Sequence, residues 1–167
     1  MTTATMTSTK SLCDISLVGP FVRSTKEVFR KTLRSDCRVG EVHPELHGHK
    51  MHSVTAIIGL SGCFSGMIAL STSVAGALQI LKKMTGMESA EVDELVRDAV
   101  GEITNMIAGK GKFELAQFEF DLGLPQVIVG QEYTVYSPRW AKHYWLPLET
   151  DFGPCTLDIG FDDHDWE

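Results

Sequence analysis

The stretch from Val92 to Phe113 constrains this chain more than any other. Its apolar residues Val92, Leu95, Val96, Ala99, Val100, Ile103, Met106, Ile107 and Phe113 recur at intervals of three and four, which predicts a long amphipathic helix with that face in a core. At about 100° per residue, Asp98, Glu102, Asn105 and Gly109 form a separate stripe away from the centre of the apolar face. A carboxylate and a carboxamide therefore stand one turn apart on an exposed edge, with no side chain at Gly109 beside them. That shape suits insertion into a partner. Ser89 is the expected N-cap, Glu91 and Asp93 complement the helix dipole, and the helix is expected to run to about Gln117. Gly101, Gly109 and Gly111 lie within it, each costing about 1 kcal/mol relative to Ala in a helix interior. Close approach of another backbone is the expected physical reason for them.

The remaining elements follow from local patterns. Helical periodicity covers Leu17 to Leu33, with Phe21, Val22, Val28, Phe29 and Leu33 as buried candidates. Arg38 to Val42 reads as a short strand, followed by a loop at Pro44 to His49. Val54 to Leu60 and Phe64 to Leu70, separated by Ser61-Gly62-Cys63, carry a hairpin signal. Ser71 or Thr72 is the expected cap of a helix over Ala75 to Met84, and Gly86 stops it. After Pro125 the pattern changes to strands at Gln126–Val129, Tyr133–Tyr136, His143–Leu148 and Thr156–Ile159. At 167 residues the chain has the size of one domain, expected over residues 12–161. A Thr/Ser-rich disordered tail is expected over 1–11 and an acidic tail over 162–167. The order of elements predicts an α+β domain: an antiparallel sheet from two similar halves, with helices packed on one face. No sequence repeat relates the halves.

Composition excludes several functions. A formal charge of −7 argues against a nucleic-acid backbone as main ligand, which needs clustered Lys and Arg. The basic run Arg23, Lys26, Arg30, Lys31 and Arg34 sits at helical spacing and reads as a solvated helix face. No apolar run is long enough to span a bilayer. Scattered Cys13, Cys37, Cys63 and Cys155 suit a reducing cytoplasm better than a disulfide framework, and nothing near Cys63 suggests a base to activate it. His43, His47, His49 and His52 make a zinc site conceivable by spacing, but a solvated loop is the favoured reading and no metal is assigned. Trp140, Tyr144 and Trp145 read as core or interface material.

The segment Asp98-Ala-Val-Gly-Glu-Ile-Thr-Asn-Met-Ile-Ala-Gly-Lys-Gly-Lys112 resembles the signature helix of the CheX branch of the CheC/CheX/FliY chemotaxis phosphatases. Val18-Gly-Pro-Phe21, the hairpin Ile57 to Leu70, and Leu124 to Gly130 continued by Leu146 to Gly153 resemble the same family in the same order. The resemblance covers roughly residues 12 to 160 and implies a CheC-like fold. It also implies a phosphatase acting on the aspartyl phosphate of a CheY-like receiver, with Glu102 and Asn105 at the two motif positions. The first helix lacks a second motif, since Glu27 is followed three residues later by Arg30, so one active edge per chain is expected. Gly19 stands where some relatives have Asn.

Under this resemblance, Asn105 is expected to hold the attacking water. Glu102 is expected to pair with the receiver's lysine and fix the docking register, a role ranked above that of general base. Asp98, Gly101, Gly109 and Lys112 are the expected partner-binding residues, although Lys110 and Lys112 also suit the dipole of a helix end. Mg²⁺ is expected from the receiver rather than from this chain. A homodimer is expected, with exposed strand edges available for sheet extension. Two rival readings use different chemistry: a module that binds a response regulator or other signalling partner without hydrolysis, and a metal- or ligand-sensing domain built on the histidine loop.

Overall fold

A computed structural model describes residues 15–45, 47–138 and 141–162. The expected tail at 1–11 and Trp140 lie outside them, as does most of the acidic C-terminus; Asp162 itself closes the last strand. Chain order gives helix α1 (Val18–Thr32), strands β1 (Cys37–Val39), β2 (His43–Pro44), β3 (His49–Lys50), β4 (Val54–Gly62) and β5 (Gly66–Thr72), and helix α2 (Val74–Thr85). The second run is α3 (Glu94–Glu114), then β6 (Phe120–Leu122), β7 (Gln126–Val129), β8 (Thr134–Val135), β9 (Ala141–Thr150) and β10 (Gly153–Asp162).

Two long hairpins, β4–β5 and β9–β10, lie side by side through the β5–β10 pair, all antiparallel. The outer edge of each is lined by two short strands. β7 and β6 cover β4, and β2 and β1 cover β9. At each break between short strands a glycine N–H keeps the edge bonded: Gly123 N donates to Gly59 O, and Gly40 N to Pro147 O, both at 2.8 Å. Pro147 has no N–H to give and sits at such a break, where a strand tolerates it. The two halves read from the chain are therefore present and interlocked, each lending its short strands to the other's hairpin. β3 and β8 pair with each other.

Alternation along the strands builds the core. Val54, Ala56, Ile58 and Leu60 of β4, Ile68 and Leu70 of β5, Leu146 and Leu148 of β9, and Leu157, Ile159 and Phe161 of β10 are buried in one cluster with Phe21, Phe29, Ile80, Val100, Ile103 and Ile107 of the helices. The β3–β8 pair reaches the other face, where His49 meets Asp158 of β10.

Helix ends explain where the pattern-based boundaries moved. Ser73, not Ser71 or Thr72, caps α2, accepting from Gly76 N at 3.0 Å. Gly86 stops it in the left-handed conformation at φ 75°, as expected. Asp93, not Ser89, caps α3, its carboxylate accepting from Val96 N at 3.0 Å. Ser89 instead donates its hydroxyl to Asp93 Oδ2 at 2.6 Å. A backing hydroxyl and a backbone N–H hold that carboxyl below the usual range. The helix ends at Glu114, three residues short of the expected limit.

Candidate functional site

Helix α3 lies between α1 and α2 and is fixed along its length. Ser24 Oγ of α1 donates to Ile107 O at 2.6 Å. At Gly111 an added Cβ would clash with the Cδ1–Cε1 edge of the ring of Phe21, a fully buried residue of α1. On the other flank, Gly101 is buried against Pro125, whose Cβ lies 3.4 Å from where a Cβ of Gly101 would stand. Gly111 thus makes room for a neighbour within this chain, a side chain rather than the backbone expected, whereas a methyl at Gly101 would meet Pro125 at ordinary van der Waals contact. Gly109 is different. It is exposed, and nothing lies within 4 Å of its missing Cβ.

The polar stripe faces outward as its spacing predicted. Asp98 and Glu102 are exposed and Asn105 is half-buried. Among the described residues neither Glu102 nor Asn105 commits its side chain to a hydrogen bond or ion pair. Thr104, between them, is buried and returns its hydroxyl to Val100 O at 2.8 Å. Lys112 is half-buried, 3.7 Å from Asp121 and 5.8 Å from the centre of the Phe120 ring. Lys110 points elsewhere: its Nζ reaches Glu27 of α1 at 3.3 Å. Hydrogen bonds from Lys31 and Lys110 hold the Glu27 carboxyl below the usual range. Arg23 completes this seam, with Nε and Nη2 donating to Glu114 Oε2 at 2.9 and 2.7 Å.

Two residues assigned to the apolar face of α3 belong to this outer stripe. Phe113 is 84% exposed and Leu95 is 47% exposed. The helical angle explains both: at about 100° per residue, Leu95 and Phe113 each fall within about 20° of Glu102. Leu124 is 87% exposed and precedes the proline that packs on Gly101. A cleft of about 690 Å³ opens at the end of α3, lined by Gly109, Lys112, Phe113, Ala116, Phe118, Glu119, Phe120 and Asp121.

The histidine segment is not a solvated loop. His43 and His49 lie in short strands, and both rings stack on Trp145, at centroid distances of 4.3 and 4.5 Å. His49 Nδ1 donates to Asp158 Oδ2 at 2.8 Å, and His143 Nε2 donates to the same oxygen at 3.0 Å. Ser137 Oγ lies 3.0 Å from His143 Nδ1 and orients that ring. Asp158 is fully buried. Burial pushes its carboxyl up, but hydrogen bonds and charge from His143 and His49 outweigh this and hold it below its ordinary value. His52 is pushed down by burial and by its neighbour His49. No group of three ligand side chains suited to a metal occurs among the described residues. Sequence reasoning missed this cluster; the available signal was Asp158, a lone charge inside an apolar strand.

The comparisons fit this geometry. A family model described as "Chemotaxis phosphatase CheX" matches residues 54–149. The CheY-P phosphatase CheX of Thermotoga maritima is 31% identical over 127 residues, covering 74% of this chain and 82% of that protein. A CheC-like superfamily protein from Shewanella sp. PV-4 is 26% identical with a TM-score of 0.81, covering 89% of this chain and 99% of that one. CheX of Borrelia burgdorferi, solved as a CheX–CheY–BeF3–Mg²⁺ complex, is 24% identical with a TM-score of 0.73, covering 89% and 99%.

Proposed function

Because the chain belongs to the chemotaxis phosphatase CheX family, we propose that it hydrolyses the aspartyl phosphate of a CheY-like receiver domain, using the outer edge of α3. One observation carries the reading: a carboxylate and a carboxamide one turn apart, exposed or half-exposed, and committed to no partner among the described residues. A fixed rod holds them. The relative from Thermotoga maritima is a CheY-P phosphatase, and the one from Borrelia burgdorferi was crystallised with CheY, BeF3 and Mg²⁺.

Acyl phosphate hydrolysis needs a water in line with the scissile P–O bond and stabilisation of the transferring phosphoryl group. The Asn105 carboxamide oxygen accepts a hydrogen bond from water without having to ionise, and so aims its lone pair at phosphorus. The water oxygen bonds to phosphorus as the bond from phosphorus to the aspartyl oxygen breaks; the aspartate carboxylate leaves with the bonding pair, and the water's protons stay with the inorganic phosphate. A carboxylate leaving group needs little push, so Glu102 serves better as a docking anion for the receiver's lysine than as a base. The receiver supplies Mg²⁺. Asp98 adds negative charge to the docking face, buried Gly101 lies behind it against Pro125, and Gly109 leaves room for the partner's surface. Lys112 steadies the far end through Asp121. The chain acts in the cytoplasm, and no helix among the described residues is long and apolar enough to cross a membrane. A homodimer forms by extension of the sheet at β7, where Ile128 and Val129 are exposed on the outermost strand.

The test is turnover with the chain at substoichiometric concentration over a receiver phosphorylated on its aspartate. Asn105→Ala should slow hydrolysis by roughly 10² to 10³, the loss expected from one preorganised polar contact. Saturation after one equivalent would identify a binding module instead. An Asn105→Ala rate equal to wild type would remove that residue from the mechanism.

A further inference from the structure

Two turns beyond Asn105 the same edge of α3 presents a side chain that no catalytic role explains. Phe113 is 84% exposed, in a helix whose other large apolar residues from Val96 to Ile107 are mostly buried. It is also the wall of the cleft at the helix end, with Phe118 and Ala116 as apolar lining and Lys112, Glu119 and Asp121 as polar rim. An aromatic side chain left in water beside a preformed cleft fits a surface that a partner covers.

The position of Phe113 decides which partner. It follows Asn105 by eight residues, or about 12 Å at 1.5 Å per residue. A specific protein interface covers about 800 Å² on each side, equivalent to a disc about 16 Å in radius. A receiver seated with its phosphoryl group over Asn105 therefore reaches Phe113 and its cleft. Gly109 lies midway, and its bare backbone lets the two surfaces stay close between polar pair and aromatic ring. On the rim Lys112 stands 3.7 Å from Asp121, so of the three charged residues there only Glu119 has no ion-pair partner among the described residues.

We propose that Phe113 and its cleft are the apolar anchor of the docking face, taking an apolar or aromatic side chain from the receiver's surface beside its phosphorylation site. The inference rests on the reading of α3 as the receiver-docking edge, and divides the work along it. Glu102 and Asn105 serve the chemistry, and Phe113 holds the body of the partner. Buried aromatic residues in contact with a partner pocket are the usual carriers of interface energy.

Steady-state hydrolysis of a receiver phosphorylated on its aspartate tests it. Phe113→Ala should raise KM about 30-fold, the size of an interfacial hot spot, while kcat stays within about twofold, the signature of lost uniform binding. Phe113→Leu should recover most of the loss. Tyr136→Ala removes another exposed aromatic, 74% exposed and just past β8, and should change neither constant. Phe113 is 84% exposed, so the Phe113→Ala melting transition should match wild type, and a shifted one moves the test to Phe113→Gln, which keeps the helix, removes the apolar anchor and should raise KM to the same extent. An unchanged KM in Phe113→Ala overturns the anchor, as does a fall in kcat at constant KM. Should Asn105→Ala be inactive while Phe113→Ala behaves as wild type, the anchor alone fails. Should Asn105→Ala be fully active, the docking-edge reading fails and the anchor with it.

Discussion

Gly109 and Gly111 stand two residues apart in one helix, and replacing each with alanine should move stability in opposite directions. Intrinsic propensity favours alanine at both by about 1 kcal/mol. At Gly109 nothing opposes this, since beyond the helix's own adjoining backbone no atom lies within 4 Å of the new methyl, and Gly109→Ala should stabilise by roughly 0.5–1 kcal/mol. At Gly111 the methyl would overlap Cδ1 and Cε1 of Phe21 and stand 3.1 Å from its Cγ. Carbon atoms prefer about 3.5–4.0 Å, and Phe21 is fully buried in the core, where close packing leaves a ring little room to move. Overpacking of this kind costs about 1–3 kcal/mol; a clash with an immobile ring belongs at the upper end. Subtracting the propensity gain leaves Gly111→Ala destabilised by about 2 kcal/mol. The two variants should thus differ by roughly 3 kcal/mol, or about 1.5 M in urea midpoint for a slope near 2 kcal/mol/M. Equilibrium urea unfolding followed by far-UV circular dichroism reads this directly. A Gly111→Ala midpoint at or above wild type would refute the packing argument, as would both midpoints shifting the same way. The stabilised Gly109→Ala protein should also lose receiver-phosphate hydrolysis; full activity would show that the gap serves no partner.

Other outcomes follow from the buried charges and thiols. Asp158→Ala leaves two buried histidines without their acceptor and should cost about 3 kcal/mol at neutral pH, measured by urea unfolding; a loss under 1 kcal/mol would mean the cluster relaxes freely. The carboxyl of Asp158 is depressed in the folded state, so its contribution is present above the ordinary carboxylate range and disappears as pH falls through its lowered folded value. The imidazole of His52 is depressed as well, which makes stability begin to fall below about pH 6.5; His52→Gln should flatten that first decline in the urea midpoint. Alkylation at pH 8 followed by mass mapping should modify exposed Cys63 ahead of Cys155 and Cys37, because burial raises both of the latter, Cys37 to about 12. Arg23→Ala should change stability by less than about 0.5 kcal/mol, since its pair with Glu114 is solvent-exposed.

What could be read from residue order was whatever has a period long enough to repeat. The β4–β5 hairpin alternates over several residues, and α1, α2 and α3 each carry several turns of apolar spacing, so all were legible. Gly86 marked its helix end correctly because a left-handed residue has few alternatives. β2, β3 and β6 had no such signal: with two or three residues each, they exist only because β9, β8 and β4 bring a register to meet them. The cap of α3 moved to Asp93 because its carboxylate reaches the Val96 N–H, and sequence offered several acids and a serine for one place. Phe113 and Leu95 were misplaced for a simpler reason. Apolar character outweighed helical angle, although that angle already aligned both with Glu102. The His49–Asp158–His143 cluster spans 109 residues between its first two members, and only the interlocked topology brings them together.

The packing of α3 has a consequence for recognition. Gly111 packed on the Phe21 ring and Ser24 bonded to Ile107 O hold the helix against α1, so under the proposed docking its outer edge would meet a receiver as an already packed surface. Adjustment would then fall to the visitor. A receiver whose cleft could not open to admit that edge would be turned away by shape, and selectivity among regulators would become a matter of how readily each one yields.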